Sequence, residues 1–259
     1  MFDREAVKEA FGRAAPVYEA HAHLQRQVRQ HCLALGQAYW PSGKHILDAG
    51  CGTGALLTET GRLRLRWRIT SLDLSLGMCA VAREKSGAVV NADAAAMPFA
   101  DNSFDGLFSS LMLQWANNPP AVWREMARVL KPQGRVVLST FVHGTLQELR
   151  EAFSSLDGKP HVSHFVQTHE ILKYAAEAGL TMTMAEQARI VNYYPDAIAL
   201  MRSLQFIGAT HKEAERGRGM MTLKQLAGVE QVYEKRFGTA EGLPATWQLL
   251  CLVLQKTCP

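Results

Sequence analysis

The chain turns on glycine where its first apolar run ends, at Asp48-Ala49-Gly50-Cys51-Gly52-Thr53-Gly54. Three glycines in five positions let the backbone take left-handed conformations and bring N–H groups close to a ligand. Residues 45–49 before the loop read as a strand, and a helical pattern follows it. The same alternation recurs, with 69–74, 88–91, 104–109 and 135–141 reading as four further strands. Short apolar runs bounded by turn residues and separated by helices predict a parallel α/β sheet. Ser75 is placed to cap a helix over 76–85. Pro119 and Pro120 open another, whose apolar face is Val122, Met126, Val129 and Leu130, and Lys131-Pro132-Gln133-Gly134 stops it. A helical segment of about 40 residues precedes the first strand. Residues 181–194 and 246–257 read as two longer strands closing the sheet as an antiparallel hairpin, with a helical insertion over 195–242 between them. The expectation is one domain over 1–259: a helical cap at 1–44, a ligand-binding core at 45–141 and a lid at 195–242.

Composition narrows the function classes. With 47% hydrophobic and 20% charged residues the chain supports a full core. Its net charge of +4 is too small to argue for nucleic acid. No apolar run approaches the ~20 residues of a membrane span, and the acidic start lacks a signal-peptide core, so a cytoplasmic protein is expected. The five cysteines are odd in number and form no CxxC, and the histidines form no HExxH, so no metal site is expected. Cys51 reads as a small residue in a tight turn. Arg62, Arg64, Arg66 and Arg68 precede the second strand and read as a solvated edge.

A glycine loop alone is shared by nucleotide, dinucleotide and purely structural turns. No Lys-Ser/Thr follows, which excludes a Walker A loop. The spacing GxGxG also differs from the GxGxxG of dinucleotide dehydrogenases, since position 55 is alanine. Asp73 ends the second strand 19 residues after Gly54, and Asp93 follows the third. Ligands of open α/β sheets bind at the carboxyl ends of the strands. Acids there suit an unphosphorylated ribose and an adenine amino group.

LDAGCGTG, DLSLGM, ADAAAMPFADNSFDGLFSSLMLQW and EMARVLKPQGRVVLSTF occur in this order, and together they resemble the class I S-adenosylmethionine-dependent methyltransferases over roughly residues 7–145. FGRAAPVYEAHAHLQRQV, STFVHGTLQELREAF, HVSHF, LQFIGA and TWQ are similar to the branch that methylates malonyl-acyl carrier protein in biotin synthesis. The resemblance implies a Rossmann-like seven-stranded sheet with N-terminal helices and a helical lid, and S-adenosylmethionine as cofactor. It places Asp48 and Gly50 at the methionine end, Gly52 and Gly54 at the close approach, Asp73 on the ribose, Met78 against the adenine, and Asp93 and Ala94 at the adenine edge. Ser109 and Ser110, with Gln114 and Trp115, would end the fourth strand beside the sulfonium, and Tyr18 would come down from the N-terminal helices. Arg150, Arg202 and His143 are the candidates for the acceptor's carboxylate. That carboxylate is ionised at neutral pH, so direct displacement needs no general base. Between 202 and 236 stand seven basic residues, Arg202, Lys212, Arg216, Arg218, Lys224, Lys235 and Arg236, against four glutamates, as expected of a surface that meets an acidic carrier protein. The chain departs from the family pattern at Gln133, where glycine is usual, at Val142-His143, where Gly-Pro is usual, and at Ser163, where asparagine is usual. A quinone or free-acid methyltransferase of the same fold and a catalytically silent binding module are the competing readings.

Overall fold

Leu107, Val136, Val137 and Leu138 are wholly buried, as in strands covered by helices on both faces. They belong to one sheet made of β1 (His45–Ala49), β2 (Arg68–Asp73), β3 (Ala88–Asn91), β4 (Phe104–Ser110), β5 (Leu130–Phe141), β6 (Leu180–Tyr194) and β7 (Leu243–Lys256). The seven strands lie in the order β3-β2-β1-β4-β5-β7-β6. The first five pair in parallel, and β7 runs antiparallel to both β5 and β6. The structure is a computed structural model that describes residues 4–85, 87–157, 162, 164–207 and 223–257. Among the described residues no helix is long and apolar enough to cross a membrane.

Ten helices occur among the described residues. α1 (Arg4–Ala14), α2 (Tyr18–His21) and α3 (His23–Tyr39) precede the sheet, and α4 (Ala55–Arg62) follows the glycine loop. α5 (Leu76–Arg83) starts at Ser75, whose side chain accepts from Met78 N. α6 (Pro119–Val129) starts at Asn118, which accepts from Ala121 N, and it buries Val122, Met126 and Val129 as the spacing requires. The strand after it is longer than the 135–141 expected. Leu130 pairs with Phe104 across a register shift, so β5 begins before the turn residues and carries them as an irregularity. Gln133 holds the left-handed φ of 63° there, which explains why glycine would also suit the position.

α7 (Gln147–Asp157) and α8 (Thr168–Glu177) lead into β6, and α9 (Ala197–Phe206) and α10 (Leu223–Phe237) lie between β6 and β7. Of the lid expected over 195–242, residues 208–222 lie outside the described residues. α10 is fastened to the body: Tyr233 is wholly buried and donates to Pro244 O at 2.6 Å, and Arg236 pairs with Glu151 of α7 at 2.9 Å. Among the described residues of this stretch, α9 borders the edge where the parallel strands end, through His21 stacked on Phe206 at 4.1 Å. Lys212, Arg216 and Arg218 lie outside the described residues, as does Ser163.

Gly106 sits on β4 beneath Trp40. A Cβ there would collide with the Trp40 indole and come within 2.9 Å of Ile46 Cδ1. Gly106→Ala is expected to destabilise the chain by about 1–3 kcal/mol, seen as a lower urea midpoint at an unchanged slope.

Candidate active site

The loop after β1 is shaped by positive φ at Gly50 (79°), Gly52 (54°) and Gly54 (75°). Gly50 N and Cys51 N both donate to Leu72 O, at 2.8 and 3.0 Å, which ties the loop to β2. The three glycines serve different ends. A Cβ on Gly50 would strike the Met112 side chain, and one on Gly52 would meet nothing within 4 Å. Gly52 therefore leaves free space at the loop's tip. Gly54 instead packs on α5, where a Cβ would lie 3.0 Å from Ala82.

Beside the loop lies a cleft at the carboxyl ends of the parallel strands. Of the residues expected there, Tyr18, Gly50, Gly52, Asp73, Met78, Asp93, Ala94, Ser110 and Trp115 line it. Asp73 accepts from Gly52 N at 2.9 Å and from Ser75 N at 2.8 Å, one on each carboxylate oxygen. Burial raises its pKa, and the backbone donors at Ser75 and Gly52 oppose that rise. Asp93 pairs with Arg4 of α1 at 3.0 Å and accepts from Ala95 N. Phe11 meets Trp115 edge-on at 5.3 Å, so α1 covers the cleft. Burial, with Glu19 beside it, pushes the Tyr18 phenol well above its usual range, so it remains a neutral hydroxyl.

Four expected residues stand outside the cleft. Gly54 is a packing position, as above. Ser109 is wholly buried and donates to Ala49 O at 2.8 Å, joining β4 to β1. Gln114 lines a separate small cavity on the other side of the short 3-10 turn, where it donates to Leu111 O and accepts from Thr140 Oγ1. Asp48 is buried beneath the loop, and its Oδ2 has no hydrogen-bond partner among the described residues. Burial pushes the Asp48 carboxyl up to about 7, with Arg29 pulling it down and Asp73 and Glu59 adding to the rise.

Arg29 belongs to a buried charge cluster that sequence reasoning missed. It pairs with Glu59 of α4 at 3.0 Å and with Glu19 of α2 at 3.5 Å, and Thr53 Oγ1 of the loop donates to Glu19 at 2.6 Å. The readable sign is an arginine set into the apolar stripe Leu24, Val28, Cys32, Leu33 of α3, all buried. The cluster is incompletely satisfied, since Arg29 Nε and Glu59 Oε2 also lack partners among the described residues.

The three candidates for an acceptor's charge are dispersed. Arg202 is exposed on α9 and lines a second cavity, with His21 and His23 from the α2–α3 corner. His143 is exposed after β5, with its ring 6.5 Å from His164. Arg150 lies on α7. Neither lines the cleft or the second cavity. No group of three potential metal ligands occurs among the described residues.

Known proteins resemble the chain at two levels. A family model described as a methyltransferase domain matches residues 47–138, from β1 into β5. The malonyl-[acyl-carrier protein] O-methyltransferase of Serratia marcescens is 39% identical, covering 91% of this chain and 91% of its own length. That of Erwinia pyrifoliae is 36% identical, covering 98% and 94%. Among solved structures, the YcgJ protein of Bacillus subtilis matches with a TM-score of 0.63 at 17% identity, over 89% of this chain and 100% of its own. The Haloferax volcanii protein solved with the Trm112 methyltransferase activator matches with a TM-score of 0.62 at 20% identity, over 98% of each chain. At these identities the likeness shows the fold, a class I Rossmann-like sheet.

Asp48 gives a pH signature to the ligand-free chain. Its pKa in the fold is raised to about 7 from about 3.9 in an unfolded chain. The stability that comes from holding the protonated form is full below about 4 and is lost as pH rises through about 7. Asp48→Asn is therefore expected to raise the melting temperature at pH 8, by an amount that shrinks steadily between pH 7 and pH 4. Thermal melts of both chains across that range check it.

Proposed function

The chain belongs to the family of malonyl-[acyl-carrier protein] O-methyltransferases, S-adenosylmethionine-dependent enzymes, and from that premise we propose that it methylates the free carboxylate of a malonyl group carried as a thioester on acyl carrier protein. The product is the malonyl methyl ester, a masked acid that chain-elongating enzymes can extend toward the pimeloyl chain of biotin.

The observation that carries the cofactor site is Asp73 and Asp93, at the ends of adjacent strands, in one cleft with the glycine loop and Met78. The residues fit S-adenosylmethionine. Asp73, already oriented by two backbone donors, presents its remaining lone pairs to the ribose hydroxyls. Met78 and Ala94 flank the adenine, and Asp93 with Ala94 meets its edge. Gly52 leaves room for backbone approach. Asp48 lies beneath the loop and outside the cleft, so its buried carboxylate would favour the cationic methionine end through the field it sets up below the loop. Trp115 and Ser110 line the cleft at the end of β4, and Tyr18 closes it from α2.

Bound there, S-adenosylmethionine supplies an electrophilic methyl carbon. The acceptor's carboxylate is the nucleophile and is ionised at neutral pH. The chain therefore needs no general base, and its own contribution is to orient the two partners and exclude water. Tyr18 suits this, because its raised pKa leaves no second anion near the acceptor. Arg202 is the cation best placed to meet the acceptor's negative charge, being exposed on the second cavity without an ion-pair partner among the described residues.

Two measurements test the reading. Asp73→Ala should weaken S-adenosylmethionine binding at least tenfold by calorimetry, as a charged hydrogen-bond acceptor is lost; unchanged affinity would place the cofactor elsewhere. With labelled methyl donor, malonyl-acyl carrier protein should yield a base-labile ester, and Arg202→Gln should raise KM for it about tenfold at unchanged cofactor affinity. No transfer to the malonyl thioester, with transfer to a quinone or free acid, would assign a different acceptor.

A further inference from the structure

Arg29 stands where α3 is otherwise apolar, in the stripe Leu24, Val28, Cys32, Leu33. A leucine there would pack at less cost, because a buried charge loses its hydration and depends on its partners to offset the loss. What the arginine adds is direction. Its Nη2 lies 3.0 Å from Glu59 of α4 and 3.5 Å from Glu19 of α2, so one guanidinium sets the two carboxylates relative to each other.

Glu19 in turn holds the glycine loop. Thr53 Oγ1, between Gly52 and Gly54, donates to Glu19 Oε1 at 2.6 Å, while Glu19 Oε2 faces Arg29. Thr53 is 1% exposed, so water does not compete for this bond. Lys85 Nζ donates to the same hydroxyl at 3.5 Å, which leaves Thr53 both donating and accepting. The backbone of α2 is drawn into the same knot, since Arg26 Nη2 donates to Glu19 O at 2.6 Å.

α2 needs such anchors. It is four residues long, and none of them is buried. A helix of about one turn has too few internal bonds to hold itself, and this one has no apolar face to seat it. Yet its first residue, Tyr18, lines the cofactor cleft. Tyr18 and Glu19 are adjacent, so their side chains leave the helix ~100° apart. One lines the cleft and the other reaches the loop beside it.

We propose that Glu19 and Thr53, braced by Arg29, are positioning residues that clamp α2 to the glycine loop and so hold Tyr18 over the cofactor. This rests on the cofactor placement given above and adds what keeps its cover in place.

The test reads S-adenosylmethionine affinity by calorimetry. Thr53→Val keeps the shape and removes the hydroxyl. Glu19→Ala, at a side chain 33% exposed, breaks the same link from its other end without opening the core. Each should weaken binding about tenfold, and the two together no more than either alone. Thr53→Ser should restore the affinity, and Arg29→Gln should add nothing to the loss in Glu19→Ala. In a Tyr18→Ala chain the same substitutions should shift the affinity by less than about twofold, because the clamp then has nothing to hold. A residue that only stabilises the fold would lower the melting temperature and leave the affinity alone. Unchanged affinity in folded Thr53→Val or Glu19→Ala, a loss that serine does not restore, or an equal loss with and without Tyr18 overturns the clamp. If Asp73→Ala also leaves the affinity unchanged, the cofactor placement falls with it; if Asp73→Ala weakens binding as expected, the placement stands and the clamp alone falls.

Discussion

The cofactor cleft is organised around one carboxylate. Asp73 closes β2 and receives Gly52 N on one oxygen and Ser75 N on the other. The first bond fixes the tip of the glycine loop, and the second fixes the turn where Ser75 caps α5. Through α5 the same turn positions Met78, which is 1% exposed, under the cleft. Loop, strand and helix are thus aligned by one side chain. That side chain stays at the site because burial is offset by backbone donors that cannot move away. An acid there is a structural part of the fold as well as the residue proposed to hold the ribose, so its loss would be felt at both levels.

Around it lies an unusual amount of buried charge. Asp48, Arg29, Glu59 and Glu19 come from β1, α3, α4 and α2, so four elements meet at one polar knot. Asp48 Oδ2, Glu59 Oε2 and Arg29 Nε lack partners among the described residues. Incompletely satisfied networks of this kind cost stability in the ligand-free chain and gain most from a ligand that brings a complementary charge. The cap helices α2 and α3 supply the arginine and one of its acids, so the N-terminal segment is part of the site's electrostatics as well as its cover.

How much of this was legible in the sequence depends on whether a residue's role is local. Asp73, Asp93 and the glycine loop are local features, set by strand ends and positive φ, and each is found where the spacing put it. The face of α6, the cap at Ser75 and the proline start of α6 are local as well. Ser109, Gln114 and Gly54 sit at positions the resemblance assigns to the ligand, yet a shift of one residue along β4 turns Ser109 to the core and Ser110 to the cleft, since successive side chains alternate. Arg29 could not be assigned partners, because Glu59 lies 30 residues away and the pairing is made only once α3 and α4 pack. Likewise α10 falls within the helical lid expected over 195–242, and its docking on α7 through Arg236 depends on a partner 85 residues distant.

The two cavities follow from a single topological choice. Parallel strands bring all their carboxyl ends to one edge, which places Asp73, Asp93 and the loop together. β7 runs the other way, so that edge receives its amino-terminal end. β5 pairs with β7 only as far as Phe141 opposite Leu249, while β6 continues with β7 to Tyr194 opposite Leu243. The hairpin therefore overhangs the parallel part of the sheet by six residues of β7, Leu243 to Gln248. That overhang carries Trp247 and, across the ladder, Asn192. α9 and the α2–α3 corner close over it. An all-parallel sheet would end flush at β5 and offer a single cleft. Reversing one strand extends the edge sideways and forms a second cavity beside the cleft.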